Sequence, residues 1–264
     1  MHFYKTIFVL LIMFTNSKLF SYEEGIALNG NLEIYYRDYG PKDAEPILLV
    51  QGIGGQLINW PEHLIDFLLD NNFRPIVYDN RDTGLSSRIP SDSFSDAKRD
   101  NTIVKNYIRY YLRLPIKSDY TLDDMAVDGI SVLNKLDISE AHILGISMGG
   151  MIAQIIVSSN PERTKTFTLI SSTASTPSPF NGPSRKVRKL LMNRTKNPNS
   201  TVDERVARSR KIFTEIGYQG IDLNTEEFYN NVSISIERGG KDDTGFGRQL
   251  NAILASQNRL DKVK

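Results

Sequence analysis

No cysteine occurs among the 264 residues. That one absence excludes disulfides, thiolate metal ligands and a cysteine nucleophile together. Histidine is nearly as scarce, with only His2, His63 and His142. An excess of one charge sign is also missing. Lys and Arg total 32 against 31 Asp and Glu, so no global field gathers nucleic acid, and none is expected as a partner. No apolar run reaches the roughly 20 residues that a spanning helix needs, so no stable membrane span is expected. There are no internal repeats. What remains is an ordinary globular composition, 40% hydrophobic and 24% charged. The chain is long enough for one large domain with a sizeable core and too short for two full ones.

The N-terminus differs from the rest. Residues 1–5 carry one positive charge, Ile7 to Phe14 is unbroken and apolar, and small or polar residues follow, with Ser17 and Ser21 as cleavage points. This reads as a secretory signal peptide over residues 1–21. The mature protein then starts near Tyr22 and is secreted or periplasmic. A buried N-terminal strand or helix is the alternative.

Beyond it, the segments Gly25–Leu28 and Leu32–Arg37 flank Asn29-Gly30, a hairpin signal. Pro46–Gln51 and Pro75–Asp79 are continuous apolar runs, which suit parallel strands covered on both faces. A helix is expected from Pro61, since proline fits the first turn. Thr121 with Asp124 three residues on predicts a capped helix running to about Leu136. Ala141–Gly145 predicts a strand, Met148–Ser159 a helix and Thr166–Ser171 a further strand. Residues 80–118 form a long connection without a clear pattern. Strands alternating with helices at this spacing imply a doubly wound, mostly parallel α/β sheet. After Thr173 no strand is evident. Helices are expected over Ser184–Arg194, Thr201–Ile216, Glu226–Arg238 and Gly247–Asn258, the last with an apolar face at Phe246, Leu250, Ile253 and Leu254. The organisation read from this is a core over residues 22–173, a helical cap over 174–258, and the start of a further core segment over 259–264.

Gly145-Ile146-Ser147-Met148-Gly149 matches G-x-S-x-G. Alone the pattern is weak, and its null form is a small-residue turn between a core strand and a core helix. Its context is what carries it: a strand runs in and a helix runs out. A serine held on such a turn has a strained backbone and needs small neighbours, which Gly145 and Gly149 supply. The helix start aims free N–H groups at the hydroxyl. Attack on a carbonyl also needs donors for the developing oxyanion. Met148 N–H is one candidate. The other is Ile53 N–H in the loop Gln51-Gly52-Ile53-Gly54-Gly55, at the C-terminal end of a parallel strand. Gly52, Gly54 and Trp60 are candidate substrate contacts.

These segments resemble the α/β-hydrolase superfamily, and within it the aclacinomycin methylesterase-like branch. The resemblance is carried by Leu49-Val-Gln-Gly-Ile-Gly-Gly55 with Trp60-Pro61, by Tyr78-Asp-Asn-Arg-Asp-Thr-Gly-Leu-Ser-Ser87 and by Tyr120-Thr-Leu-Asp-Asp-Met-Ala126. His142-Ile-Leu-Gly-Ile-Ser-Met-Gly-Gly-Met-Ile-Ala-Gln154 and Arg248-Gln-Leu-Asn-Ala-Ile-Leu-Ala-Ser256 complete it. It implies hydrolysis of a small-molecule ester, amide or thioester with no cofactor and no metal, and with Ser147 as nucleophile. Asp in place of the serine marks haloalkane dehalogenases and epoxide hydrolases, so Ser147 disfavours both. The loop Asp79–Ser87 reads as structural, with Gly84 making a turn and Asp and Ser side chains bonding local backbone.

A triad in this fold runs Ser, then Asp or Glu, then His. All three histidines precede Ser147. His142 lies five residues back on a strand, about 16 Å away at roughly 3.3 Å per residue, and a base must come within about 3 Å. The acid is missing too, since none of Asp222, Asp242, Asp243 and Asp261 follows a strand. The expectation is therefore a truncated sheet lacking its last strands, an exposed apolar edge, and little turnover by this polypeptide. Two alternatives stand beside this one: a non-catalytic binding protein on the same fold, and a proline-iminopeptidase-like or thioesterase enzyme. Residues 185–211 are strongly basic, which reads as a solvated helix face ahead of a surface for anionic partners.

Overall fold

The computed structural model describes residues 21–90, 105–106, 108–175, 183–194, 200–217, 220–239 and 244–261. Residues 1–20 of the expected signal peptide, together with Asp242 and Asp243, lie outside them. Six strands form one sheet in the order β1-β2-β4-β3-β5-β6. β1 (Glu23–Asn29) and β2 (Leu32–Asp38) make the expected hairpin, with Gly30 at φ 59° in its turn. β2 runs antiparallel to β4 (Phe73–Tyr78), and β4, β3 (Glu45–Val50), β5 (Ala141–Ile146) and β6 (Thr164–Ile170) are mutually parallel.

The unbroken apolar runs are explained by two cores, one on each face. Leu48, Val50, Ile76, Tyr78 and Ile143 point to one side, against α2 (Leu122–Lys135) and α3 (Met148–Ser159). Ile47, Leu49, Val77 and Leu144 point to the other, against α1 (Glu62–Asp70). Successive side chains alternate across a strand, so a strand covered on both sides has no polar position to spare. Pro61 caps α1. Thr121 Oγ1 accepts the Asp124 N–H at 3.1 Å, and the Asp124 carboxylate accepts the Thr121 N–H at 2.7 Å, a complete capping box at the start of α2.

Four helices follow β6: α4 (Arg185–Arg194), α5 (Val202–Ile216), α6 (Glu226–Gly239) and α7 (Thr244–Ala255). Among the described residues no strand comes after β6. The outer edge of β6 has no partner there, and Leu169 and Ile170 are exposed. Arg185, Lys186, Lys189 and Lys211 of the basic stretch are solvent-exposed.

α7 departs from expectation in two ways. It starts and ends three residues early, and beyond its end the Arg259 N–H donates to Ala174 O at 2.8 Å. Its inward face is also not the apolar one: Phe246 and Ala252 are buried beside Arg248, Gln249 and Asn251, whereas Leu250, Ile253 and Leu254 are half-buried.

Arg248 and Gln249 of that face bond residues 81–83 in the loop leaving β4, Gln249 also Gly54, and Asn251 accepts from Asn106 Nδ2 at 3.0 Å. Arg81 forms a two-pronged pair with Asp128 of α2, Nε to Oδ2 at 2.6 Å and Nη2 to Oδ1 at 2.7 Å. Asn29 Nδ2 in the hairpin donates to the same carboxylate at 2.8 Å. Arg81→Met should cost about 3–5 kcal/mol, because it leaves a buried carboxylate without its cation. Arg81→Met/Asp128→Leu should recover much of the loss. Urea unfolding of the two variants checks this; a double variant no more stable than the single would show that packing, not charge, sets the cost.

Candidate active site

Ser147 stands between β5 and α3 at φ 56°, ψ −120°. A non-glycine residue is held there only when its surroundings over-determine it, at a cost of about 1–3 kcal/mol. Those surroundings are identifiable. The Ser147 N–H donates to Ile170 O of β6 at 2.9 Å, and Ser147 O accepts from Gly150 N at 3.0 Å. A Cβ on Gly145 would collide with the Gly149 carbonyl, and one on Gly149 with the Val50 carbonyl. Neither position admits a side chain. On the far side Gly52 closes in: a Cβ there would sit 3.2 Å from Ser147 Cβ and 3.7 Å from its Oγ. The serine motif and the glycine loop after β3, which are 95 residues apart in the chain, thus meet face to face.

Ser147 itself is half-buried, and among the described residues its hydroxyl has no hydrogen-bond partner. The same holds for the N–H groups of Ile53 and Met148. The glycine loop is fixed by its neighbours. Gly52 N donates to Gln51 Oε1 at 3.0 Å, Gly55 N to Gly52 O at 3.1 Å, and Asn80 Nδ2 to Gln51 O at 3.0 Å. Gly54, at φ 65°, donates its N–H to Gln249 Oε1 at 2.8 Å. Trp60 lies elsewhere. Its ring is 7% exposed and packs in the core on the α1 face with Leu57, Ile65 and Leu68.

Neither described histidine approaches Ser147. His63 is exposed on α1. His142, the second residue of β5, shares a hydrogen bond with Thr166 Oγ1 at 2.7 Å and lies edge-on to Phe73. It belongs to the opposite end of the strand from the serine. Among the described residues no group of three or more His, Cys, Asp or Glu is placed to hold a metal ion, and no helix is long and apolar enough to cross a membrane.

Two buried carboxylates frame the glycine loop. Asp79, at the end of β4, accepts from Leu57 N at 2.8 Å, Leu85 N at 2.9 Å and Arg238 Nη1 of α6 at 2.6 Å. Burial pushes its carboxyl above the ordinary range, against the pull of Arg238 and the two N–H groups. Asp82 is paired through both oxygens with Arg248 of α7, at 2.6 and 2.8 Å. Gly84, at φ 55°, is required where it is, because a Cβ would collide with the Asp79 carboxylate. The loop is structural, as expected. Its most distant partners, Arg238, Arg248 and Gln249, carry no local signal and escape a sequence reading.

A strained serine at a helix start, a parallel sheet and a backbone-lined loop define the class. The alpha/beta hydrolase fold family matches residues 45–246, and the chain belongs to it. Over 158 residues the chain is 28% identical to rhodomycin D methylesterase DnrP of Streptomyces peucetius, an alignment covering 60% of this chain and 41% of that relative. It is 27% identical over 125 residues to a non-heme chloroperoxidase of Burkholderia pyrrocinia, covering 47% and 35%. The chain therefore spans less than half the length of these curated relatives. A carboxylesterase structure from the thaumarchaeon Nitrososphaera gargenis superposes with a TM-score of 0.62 at 17% identity, over 90% of this chain and 75% of that one. The fold is shared with it.

Arg238→Leu tests the Asp79 pair. Without the cation the buried carboxyl rises further above its unfolded value. A carboxyl raised in this way stabilises the fold below the unfolded carboxylate range, and that contribution is lost as pH rises through the folded value. The variant should thus trail the parent by about 3–5 kcal/mol near neutral pH, and the gap should narrow as pH falls toward about 4. Urea midpoints of both proteins between these limits measure it; a constant gap would show that Asp79 carries no charge in the fold.

Proposed function

We infer that the protein is a serine hydrolase acting on carboxylic esters, with Ser147 as nucleophile and the Ile53 and Met148 N–H groups as oxyanion donors. The observation that carries this reading is the meeting of a strained, unpartnered Ser147 with two uncommitted backbone donors at the C-terminal end of a parallel sheet. The Ser147 Oγ attacks the acyl carbon as its proton passes to a base, the carbonyl oxygen takes the negative charge, and preorganised N–H groups stabilise it; collapse expels the protonated alcohol, and water then hydrolyses the acyl-serine to the acid. Gly52 keeps the approach to Ser147 open because it has no side chain. Gly54 shapes the loop. Helices α4–α7 form the cap over this end of the sheet, and a small acyl substrate enters beneath them. The methylesterase relative supports an ester as the substrate class.

A second reading has its own observation: no histidine reaches Ser147 among the described residues. A hydroxyl without a base is a weak nucleophile. Loss of triad members leaves only residual catalysis from the oxyanion donors and binding. On that basis residues 1–264 alone are expected to turn over esters only at a residual rate. A fold that binds an acyl compound without cleaving it is the alternative.

The test is p-nitrophenyl ester hydrolysis by residues 1–264 and by the longest polypeptide that the gene encodes. Turnover by the latter should fall on the order of 1,000-fold or more in Ser147→Ala. Turnover unaffected by that change overturns the serine reading. Robust, Ser147-dependent turnover by residues 1–264 overturns the expectation of residual activity. Binding without turnover in either form supports the non-catalytic alternative.

A further inference from the structure

We propose that Gln249 of α7 is a positioning residue for the oxyanion loop, setting the direction of the Ile53 N–H; this rests on the Ser147 reading of the site. Gln249 is fully buried, and its amide is committed at each end. Oε1 accepts the Gly54 N–H at 2.8 Å. Nε2 donates to Arg81 O at 2.9 Å and to Thr83 Oγ1 at 2.7 Å. The partners fix which end is which, because a flipped amide would set N–H against N–H and oxygen against the Arg81 carbonyl.

The consequence for Ile53 follows from peptide planarity. The Ile53 N–H and the Gly52 C=O belong to one trans peptide, so they point in opposite directions. The Gly52 oxygen is held by Gly55 N at 3.1 Å. The Ile53 N–H must then face away from Gly55, on the open side of that peptide. The plane before it is held by the bond from Gly52 N to Gln51 Oε1, and the plane after it by the bond from Gly54 N to Gln249. Two restraints come from outside residues 51–55: Asn80 Nδ2 holds Gln51 O in the plane before that peptide, and among the described residues Gln249 alone holds the plane after it. Three glycines in five residues make the Ile53–Gly54 plane easy to rotate without that bond. Gln249 is itself anchored on both sides: Arg248 is paired with Asp82, and Ala252, nearly a turn further on, lies in the core.

The proposal separates from a purely structural role by what moves. In the unmodified chain, the Gly54 amide should exchange with deuterium as slowly as amides in the middle of β3. Rapid exchange at Gly54 overturns the proposal without any variant. Gln249→Met keeps the length and removes all three bonds, and should speed Gly54 exchange at least about tenfold. Per folded molecule of the longest encoded polypeptide, it should lower kcat for a p-nitrophenyl ester on the order of 10- to 100-fold, with KM little changed. A lower Tm with kcat per folded molecule intact overturns the proposal. If Gln249→Met does not fold, Thr83→Val removes one of the three bonds and should move exchange and kcat in the same direction by less; no movement counts against the proposal. Turnover that survives Ser147→Ala overturns the serine reading and the catalytic consequence with it. Gly54 exchange reports the tether independently of that outcome.

Discussion

Two carboxylates without water govern how this molecule is assembled. Asp79 and Asp82 leave the end of β4 inside the protein, each essentially unexposed. A buried carboxylate needs both a cation and hydrogen-bond donors. Nearby backbone supplies donors: Leu85 N and, from the loop after β3, Leu57 N to Asp79, and Ile89 N to Asp82. The cations come from far along the sequence, Arg238 on α6 and Arg248 on α7. The helices after β6 are therefore not an optional cover. Lifting them away would strand two charges, and truncating one partner of such a pair costs about 3–5 kcal/mol. The ion pairs also dictate where α6 and α7 sit: over the loop that follows β3, where Asn59 Nδ2 donates to Ser235 Oγ at 2.8 Å.

The geometry at Ser147 has a different origin, in close approach. The Gly149 backbone sits against the carbonyls of Val50 and Gln51, and the Gly145 backbone against Gly149. α3 can start that near the sheet only because neither residue has a side chain. Its proximity brings the N-terminal N–H groups of the helix, with their partial positive charge, to the hydroxyl. The strain at Ser147 is thus maintained by packing on both sides of β5: β3 through Gly149, and β6 through the bond from Ser147 N to Ile170 O.

Much of this was legible in the sequence, for identifiable reasons. The hairpin, the Thr121–Asp124 capping box, the two-faced strands and the span Met148–Ser159 rest on local rules, and local rules survive folding when the surroundings agree with them. That the glycine loop would serve Ser147 was legible from its place at the C-terminal end of a parallel strand; that Gly52 is the residue meeting it came from the structure. What failed was the reading of α7. Apolar periodicity selects Phe246, Leu250, Ile253 and Leu254; Phe246 is buried and Ile253 packs on the core, but α7 also packs on a polar loop, so Arg248, Gln249 and Asn251 are buried where Leu250 and Leu254 are not. Periodicity detects faces that meet oil-like surroundings and has no term for a helix that meets carboxylates. Asp79–Ser87 shows the same limit from the other side. Its local bonding was foreseen, but partners such as Arg248, 166 residues away, leave no mark near the loop. Trp60 looked like a contact residue because it follows the glycine loop; the start of α1 turns it inward, into the core.

Family membership leaves chemistry open, since relatives on this fold include a methylesterase and a non-heme chloroperoxidase. In the serine-hydrolase reading, substrate choice then falls to the helices beside the loop, and these are not equally free to vary. Residues of α7 that hold the loop through Asp82, Arg81 and Gly54 cannot change without disturbing the donors that the chemistry uses. The half-buried Leu250, Ile253 and Leu254 carry no such bond. Within α7, the apolar positions are accordingly freer to vary than the polar ones. The polar face stays committed, because Gln249 bonds the loop after β3 and Arg248 the loop after β4.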